Sequence, residues 1–319
     1  MVLGATGETG VAIVAELVKR GIDTVAFGRT LSKLERLKKD LNGPVNLTLI
    51  TGDVFNSDDV YEASKGADVI FHSASIPYNE MKSKLLPMGE SVMMAANRLG
   101  VKVVAVDGIY PYGRRTTLEP IDEEYPKNPH TVKGKTKLEF EKMFFSRRWN
   151  QVQGLIVRLP DYYGPSATDS SYLCSTLQDI AAGKPTIFIG NMKVSCEFVY
   201  LPDAAKMIVE LASRKEAYGQ NWNIPGSGLI SGRALVKLAQ EASGTNKAIF
   251  PLGKASLSLI ALFSPVIKEV VEMLYLTKDP LVLSGKKYER LVGPVPATSF
   301  EEGMKATIGA IKNRQSEKS

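Results

Sequence analysis

The segment Gly4-Ala-Thr-Gly7-Glu-Thr-Gly10 constrains the fold more than any other stretch of the chain. An apolar run, Met1–Leu3, precedes it. An amphipathic pattern follows, with Val11, Val14, Ala15 and Val18 on one face, Lys19 and Arg20 in the last turn, and Gly21 as the stop. Glycines at these intervals permit a turn too tight for residues carrying a Cβ. They also bring the chain to the amino end of a helix, where free N–H groups and the positive end of the dipole gather. A pyrophosphate is accepted by this geometry after the first strand of a βαβ unit. Its place between strand and helix makes the segment a dinucleotide-binding turn, with Gly4, Thr6, Gly7, Glu8, Thr9 and Gly10 as the contacting residues. Three residues before Gly4 are few for a central strand, so either the strand is short or residues precede it.

The first 160 residues keep the rhythm this turn begins. Short β-branched runs predict buried strands at Met1–Leu3, Thr24–Phe27, Leu47–Ile50, Val69–Phe71, Val101–Val106 and Leu155–Val157. Helical patterns lie between them, one opening at Thr30 or Ser32 and another running through Val92, Met93, Ala96 and Leu99 to Gly100. Such alternation predicts an α/β fold, a Rossmann-type doubly wound parallel sheet covered on both faces. Beyond residue 160, prolines and glycines become frequent and the rhythm loosens. We expect a nucleotide-binding domain over 1–160, a smaller and mostly helical substrate-binding region over 161–319, and elements near 188–210 that cross back onto the first domain.

Composition excludes several other classes. Hydrophobic residues make up 44% of the 319, enough to build a core. Two cysteines, Cys174 and Cys196, and two histidines, His72 and His130, are too few for a disulfide framework or a Cys/His metal centre; no metal is expected. The cysteine usage and the absence of a signal peptide before the glycine turn point to a reducing, cytoplasmic compartment. The net charge of +6 is dispersed. Its densest patch, Lys33, Arg36, Lys38 and Lys39, alternates with Leu34 and Leu37 and predicts the wet face of a helix rather than a nucleic-acid footprint. The longest apolar stretch, Leu257 to Phe263 and on through Val266, is stopped by Pro265, Lys268 and Glu269 and is too short and too interrupted to span a bilayer; the wider segment Leu257–Leu276 has the apolar positions of packing helices. It suits helices packed on the substrate region, or a subunit contact.

The second strand ends at Gly28-Arg29. An acidic residue here would accept hydrogen bonds from the adenosine ribose and repel a 2′-phosphate; a guanidinium does the opposite. Thr30, Ser32 and Lys33 add donors and charge. The expected cofactor is therefore NADP(H), with NAD(H) less favoured.

These residues, with others further on, resemble the extended short-chain dehydrogenases/reductases of the NAD-dependent epimerase/dehydratase type. Beyond the glycine turn, the resemblance is carried by Gly52-Asp53-Val54, His72-Ser-Ala-Ser75, Tyr112-Gly113, Arg158-Leu-Pro160-x-x-Tyr163-Gly164-Pro165, Phe198-Val-Tyr-Leu-Pro-Asp203 and the helical part around Tyr288–Gly293. It implies that Asp53 and Val54 contact the adenine, that Ser73, Ala74 and Ser75 line the ribose and phosphate side, and that Leu159 and Pro160 pack near the nicotinamide. It places Tyr163, Asn191, Glu197 and Phe198 in a substrate cleft, although Phe198 also reads as core and Asp203 as a helix cap. The implied activity is oxidoreduction or epimerisation at a carbonyl or hydroxyl centre of a small molecule, a sugar nucleotide among the candidates. A homodimer is left open as the assembly.

The family's centre combines a Ser or Thr hydroxyl with Tyr-x-x-x-Lys on one helix. Residues i and i+4 share a helix face, and the ammonium makes the phenol a usable acid or base. In Lys133-Gly-Lys-Thr-Lys137, the second lysine fits the family lysine, the phenol position is Lys133, and the hydroxyl position is Gly108. Three readings follow. In the first, another group substitutes as acid/base: Tyr110 or Tyr112 after the fifth strand, Tyr162 or Tyr163 after the sixth, or Lys133 itself, tuned by the repulsion of two neighbouring ammoniums. In the second, hydride transfer proceeds with little acid help. In the third, the chain binds NADP(H) without catalysis, as a redox sensor or regulator.

Other signals are set aside. Gly134-Lys135-Thr136 lacks the upstream glycine of a phosphate-binding P-loop, because position 129 is proline. A Gly-x-Ser-x-Gly elbow is missing. The adjacent pairs Asp58/Asp59 and Glu123/Glu124 read as surface or capping groups.

Overall fold

The computed structural model describes residues 1–167, 173–261, 268 and 271–317. The strands are β1 (Val2–Leu3), β2 (Thr24–Gly28), β3 (Leu47–Thr51), β4 (Val69–His72), β5 (Lys102–Gly108), β6 (Gly154–Leu159), β7 (Asp161–Tyr163), β8 (Thr186–Ile189), β9 (Ser195–Tyr200), β10 (Asn221–Asn223), β11 (Leu229–Ser231) and β12 (Ile249–Leu252). Seven of them form one sheet in the order β10-β6-β5-β4-β1-β2-β3. Every pairing within it is parallel. The six strands expected from the sequence are all there, because strands buried on both faces are written as continuous apolar runs. The seventh, β10, returns from beyond residue 160 and pairs with β6, Trp222 opposite Val157.

Helices cover both faces. On one side lie α1 (Glu8–Lys19), α2 (Leu31–Asp40) and, from later in the chain, α7 (Leu201–Ala212); α3 (Ser57–Ala63), α4 (Met81–Leu99) and α5 (Val132–Phe144) cover the other. α1 packs on α7 and α4 on α5. In α2, Leu34 and Leu37 turn inward and leave Lys33, Arg36 and Lys39 exposed, as the alternating pattern predicts; Lys38 departs from it, being half-buried with its Nζ donating to the Leu47 carbonyl at 2.7 Å. The face of α1 differs from expectation. Its most buried apolar residues are Ala12, Ile13, Val14 and Leu17, while Val11, Ala15 and Val18 are half-buried. The helix is pressed between the sheet and α7, so its apolar residues serve two neighbours and the face cannot be read from one stripe. α4 carries Pro87 in its interior, which the sequence pattern did not anticipate.

The remainder is mostly helical with short strands, as expected. A three-stranded sheet, β11-β9-β7, and a two-stranded sheet, β12-β8, stand beside α6 (Cys174–Ala181), α8 (Gly232–Ser243) and the terminal helix Phe300–Ser316. Their core gathers Leu177, Phe188, Leu235, Met304 and Ile308. Of the apolar stretch Leu257–Leu276, residues 262–267 and 269–270 lie outside the described residues. Leu274, Tyr275 and Leu276 pack against Ile109 and Tyr112, just after β5. No helix among the described residues is long and apolar enough to cross a membrane.

The strand order fixes where a ligand can bind. From β1 the chain winds outward through β2 and β3, then returns to the other side of β1 as β4. The crevice at the carboxyl ends of β1 and β4, where the winding reverses, is the place an open α/β sheet offers to a ligand.

Candidate functional site

The glycine turn closes this crevice from one side. Gly4 has φ +72°, and a Cβ there would sit 2.6 Å from Ala74 Cα. A Cβ on Gly10 would lie 2.2 Å from the Gly4 carbonyl oxygen. Neither position accepts a side chain. The turn from β1 is thereby clamped against the loop after β4, and Ser73 Oγ donates to the Leu3 carbonyl at 2.7 Å. Gly7 caps α1 without a side-chain hydrogen bond. The chain thus presents a helix amino terminus to the crevice, fit for a pyrophosphate. Thr6 lies in the turn and Thr9 in the first turn of α1, and Ser75 is exposed beyond Ala74.

At the end of β2, Arg29 is exposed and has no hydrogen bond or ion pair among the described residues; Thr30, Ser32 and Lys33 are exposed beside it in sequence. The donor set fits a phosphate and includes no carboxylate from this segment. After β3, Asp53 is exposed: its backbone N–H donates to Asp59 Oδ2 at 2.8 Å, and its Oδ1 accepts from the Phe55 N–H at 3.0 Å. Val54 is half-buried. Leu159 and Pro160 are buried at the end of β6.

A buried ion network supports the centre of the crevice. Lys137, on α5, places its Nζ 2.5 Å from Asp107 Oδ1. Arg158, wholly buried in β6, donates to Asp107 Oδ2 at 2.6 Å and to Glu141 Oε2 at 2.5 Å. Asn221 of β10 and Lys127 also reach Glu141. Burial alone would raise the Asp107 carboxyl, but Lys137 and Arg158 outweigh it and hold the group below its ordinary value. His72, at the end of β4, is pushed the other way, down to about 4, by burial and by the Lys137 charge.

Lys133 lies one helical turn before Lys137 and is buried. Its Nζ contacts Glu272 Oε2 at 2.6 Å, while Glu272 Oε1 accepts from the Val132 N–H at 2.6 Å. Each lysine therefore faces a carboxylate of its own. The pair does not stand as two uncompensated cations, which removes the physical basis for a mutual-repulsion tuning of Lys133. Lys133 Nζ also lies 5.1 Å from the centre of the Tyr78 ring. At Gly108 a Cβ would meet only the Leu159 carbonyl oxygen, at 3.9 Å, so the hydroxyl position is roomy and empty of side chain.

The candidate phenols separate. Tyr110 shares a 2.6 Å hydrogen bond between hydroxyls with Tyr78. Tyr162 donates to Glu8 Oε2 at 2.6 Å, so Glu8 turns its carboxylate toward the loop after β6. Tyr112 is core: it is 1% exposed and donates to Asn223 Oδ1 at 2.8 Å. Desolvation pushes Tyr78, Tyr110, Tyr112 and Tyr162 above the ordinary phenol value. Asp161, the first residue after Pro160, is raised by burial to about 6, and its carboxylate has no hydrogen-bond partner among the described residues.

The residues expected to face substrate do not form one cleft. Tyr163 is fully buried, stacked on Phe300 and tilted against Tyr200. Phe198 belongs to the same core. Glu197 is raised by burial to about 7, and its two oxygens accept from the Gly226 and Leu283 N–H groups, so it pins two loops. Asn191 is exposed and accepts from the Lys193 N–H within its own turn. Glu123 also departs from expectation, being buried rather than superficial, because its carboxylate accepts from the Asn223 N–H at 2.8 Å. Sequence reasoning missed Tyr78, Asp107, Asp161 and Glu272. Asp107 directly precedes Gly108 and Asp161 directly follows Pro160, which is a usable signal; Tyr78 arrives from a turn and Glu272 from a helical stretch, and neither carries one.

A doubly wound parallel sheet, with a glycine turn at its switch point and a lysine-bearing helix beside β5, defines a dinucleotide-binding α/β protein of the dehydrogenase type. More narrowly, the chain belongs to the NAD-dependent epimerase/dehydratase family, whose model matches residues 1–224. It is 26% identical over 263 residues to an uncharacterized UDP-glucose epimerase, YtcB, of Bacillus subtilis (strain 168), covering 76% of this chain and 82% of that one. A UDP-glucose 4-epimerase of Rickettsia conorii is 28% identical over 128 residues, 35% of this chain and 37% of the relative. Among solved structures, UDP-glucuronic acid 4-epimerase from Bacillus cereus in complex with NAD superposes with a TM-score of 0.79 at 18% identity, over 98% of each chain. The dTDP-glucose 4,6-dehydratase from Bacillus anthracis, in complex with NAD, gives 0.80 at 16% identity, over 99% of this chain and 96% of that one.

Proposed function

We propose that the chain is an NADP(H)-dependent oxidoreductase or epimerase acting on a carbonyl or hydroxyl centre of a small molecule, with nucleotide-linked sugars of the kind its relatives are named for as first candidates. The observation that carries this reading is the convergence, at one edge of the parallel sheet, of the glycine turn, Arg29 with no ion pair among the described residues, and the held ammonium of Lys137. The turn and the first N–H groups of α1 would bind the pyrophosphate, and Arg29 with Lys33 the 2′-phosphate. The cofactor, when bound, supplies or accepts a hydride. Lys137 carries three N–H donors and a single carboxylate oxygen lies against it, so donors remain for a ribose hydroxyl. The Asp107–Arg158 pair fixes the direction in which that ammonium points. A reducing, cytoplasmic setting belongs to the same proposal, consistent with the free thiol of Cys196.

A second reading has one observation in its favour. At the position where the family carries its phenol stands Lys133, buried and locked to Glu272. A chain so built could bind NADP(H) and act as a sensor or regulator without turnover. Calorimetric titration with NADPH and NADH, followed by nicotinamide absorbance with a panel of sugar nucleotides, ketones and aldehydes, separates the two. We expect NADPH to bind at least about tenfold more tightly than NADH, the worth of one charge-assisted contact, and turnover on at least one substrate. Tight binding with no turnover selects the second reading; preference for NADH refutes the cofactor assignment.

A further inference from the structure

The ordinary proton donor of this family is replaced, yet the crevice is rich in titratable groups, and one of them is placed differently from the rest. We propose that Asp161, at the carboxyl end of β6, is the catalytic acid/base of this site. The assignment rests on the functional reading above and gives it a reacting residue.

The argument is one of elimination on geometry. Tyr112 spends its hydroxyl on Asn223 inside the core, and Tyr163 is sealed between Tyr200 and Phe300. Tyr162 donates to Glu8; Tyr110 and Tyr78 share a single hydroxyl–hydroxyl bond, and desolvation raises both phenols further from the range of an acid/base working near neutrality. Lys133 is committed to Glu272. Glu197 has both oxygens occupied by backbone N–H groups. Burial first, and then the Lys137 charge, oppose the protonation of His72. Asp161 alone among these has a carboxylate with neither oxygen hydrogen-bonded within the described residues, and it is half-buried rather than sealed. It directly follows Pro160, so it stands where the parallel sheet delivers its ligands.

Its surroundings come from several elements. Tyr162 is beside it on β7, Tyr78 lies before α4, Tyr110 after β5, and Cys196 on β9; the Asp161 charge raises the pKa of all four. These neighbours are neutral near pH 7 and desolvate the carboxyl, which favours its protonated form. A carboxyl poised near neutrality both gives and takes a proton readily.

In the reducing direction a nicotinamide, when bound, would supply the hydride. As the carbonyl carbon gains hydrogen, its π pair moves to the oxygen. The Asp161 O–H breaks and its proton goes to that oxygen, leaving a carbinol and a carboxylate that recovers its proton from water. Oxidation runs the same steps backward, with Asp161 as base.

The test uses the full chain labelled with carboxyl-¹³C aspartate. The Asp161 resonance, identified by its loss in Asp161→Asn, should titrate near pH 6 in the ligand-free chain and shift when NADPH saturates the protein. A midpoint near 4, the ordinary value, overturns the assignment, as does a resonance unmoved by NADPH that calorimetry shows to be bound. In turnover, Asp161→Asn should lower kcat at least about 100-fold with NADPH affinity unchanged, and Asp161→Glu should restore part of it. An unchanged kcat overturns the proposal, and binding without any wild-type turnover overturns it too. Failure to bind either nucleotide is a distinct result, which removes the functional reading and this assignment together.

Discussion

Asp107 is the residue on which the buried charges depend, and its replacement by asparagine tests that dependence. In the native chain its two oxygens meet Lys137 at 2.5 Å and Arg158 at 2.6 Å, and the Arg158 side chain is 0% exposed. Asparagine keeps the shape and removes the charge. Arg158 retains Glu141 and the Gly108 carbonyl, but the cluster of Lys127, Lys137, Arg158, Asp107 and Glu141 moves from one excess positive charge to two. Breaking a buried pair from one side costs roughly 3–5 kcal/mol, because a charge is left uncompensated. For a chain of this size that lowers the melting temperature by about 10 °C. The sign with pH follows from the Asp107 carboxyl being held below its ordinary value. Its contribution is present above the unfolded carboxylate value near 3.9 and is lost as pH falls through the lower folded value. The gap between wild type and variant should therefore hold from neutrality to about pH 5 and narrow below about 4. Thermal melts across this range decide the matter. A variant melting within about 2 °C of wild type at pH 7 would show that Arg158 does not need Asp107, and the network would lose its role.

Other perturbations reach the remaining parts of the site. Arg29→Asp should weaken NADPH by about 10–100-fold in calorimetry, with a smaller effect on NADH; equal loss for both contradicts a 2′-phosphate contact. Lys137→Ala should lower kcat by about 100-fold or more and weaken cofactor binding; unchanged kinetics would mean that another group holds the ribose. Gly10→Ala drives a Cβ to 2.2 Å from the Gly4 carbonyl oxygen, and the backbone shift it forces should cost about 1–3 kcal/mol in denaturant unfolding and abolish nucleotide binding; a native-like melt with intact binding refutes the clamp. Asp161 is raised in the folded state to about 6, so the native chain should lose stability as pH climbs from about 4 to about 6. Asp161→Asn should be more stable than wild type by up to ~3 kcal/mol above that window and equal to it below.

The parallel sheet was legible in the sequence because both its faces are buried, which makes each strand an unbroken apolar run such as Val103–Val106. The glycine turn was legible for a complementary reason: Gly4 and Gly10 sit where no side chain fits. Arg29 and Lys137 followed from their offsets to that turn and to the helix after β5. What could not be read was contact between segments far apart in the chain. Glu272 reaches Lys133 across 139 residues, and Glu123 reaches the Asn223 N–H across 100. Nothing local marks either carboxylate as buried. Tyr163 and Phe198 were expected in a cleft because of the motifs they occupy, but β7 and β9 turn them into the core shared with the terminal helix. A motif fixes where the backbone goes; which way a side chain faces is decided by what packs on it afterwards.

The replacement of the family's phenol by Lys133 is not an isolated loss. An ammonium 2% exposed could not persist there without a counterion, since an unpaired buried charge costs several kcal/mol. Glu272 supplies it, and in the same contact accepts the N–H of Val132 at the start of α5. The two residues therefore form one unit. Lys133→Tyr alone would leave Glu272 facing a phenol with its charge uncompensated, and would not rebuild the family's centre. Lys137 is held in a parallel way by Asp107, from the end of β5. The outcome is a helix face on which both lysines are committed to carboxylates, with an unfilled space at Gly108 where a hydroxyl would stand. With that face so committed, proton transfer in our proposal falls to Asp161, at the end of β6, whose carboxylate has no hydrogen bond among the described residues.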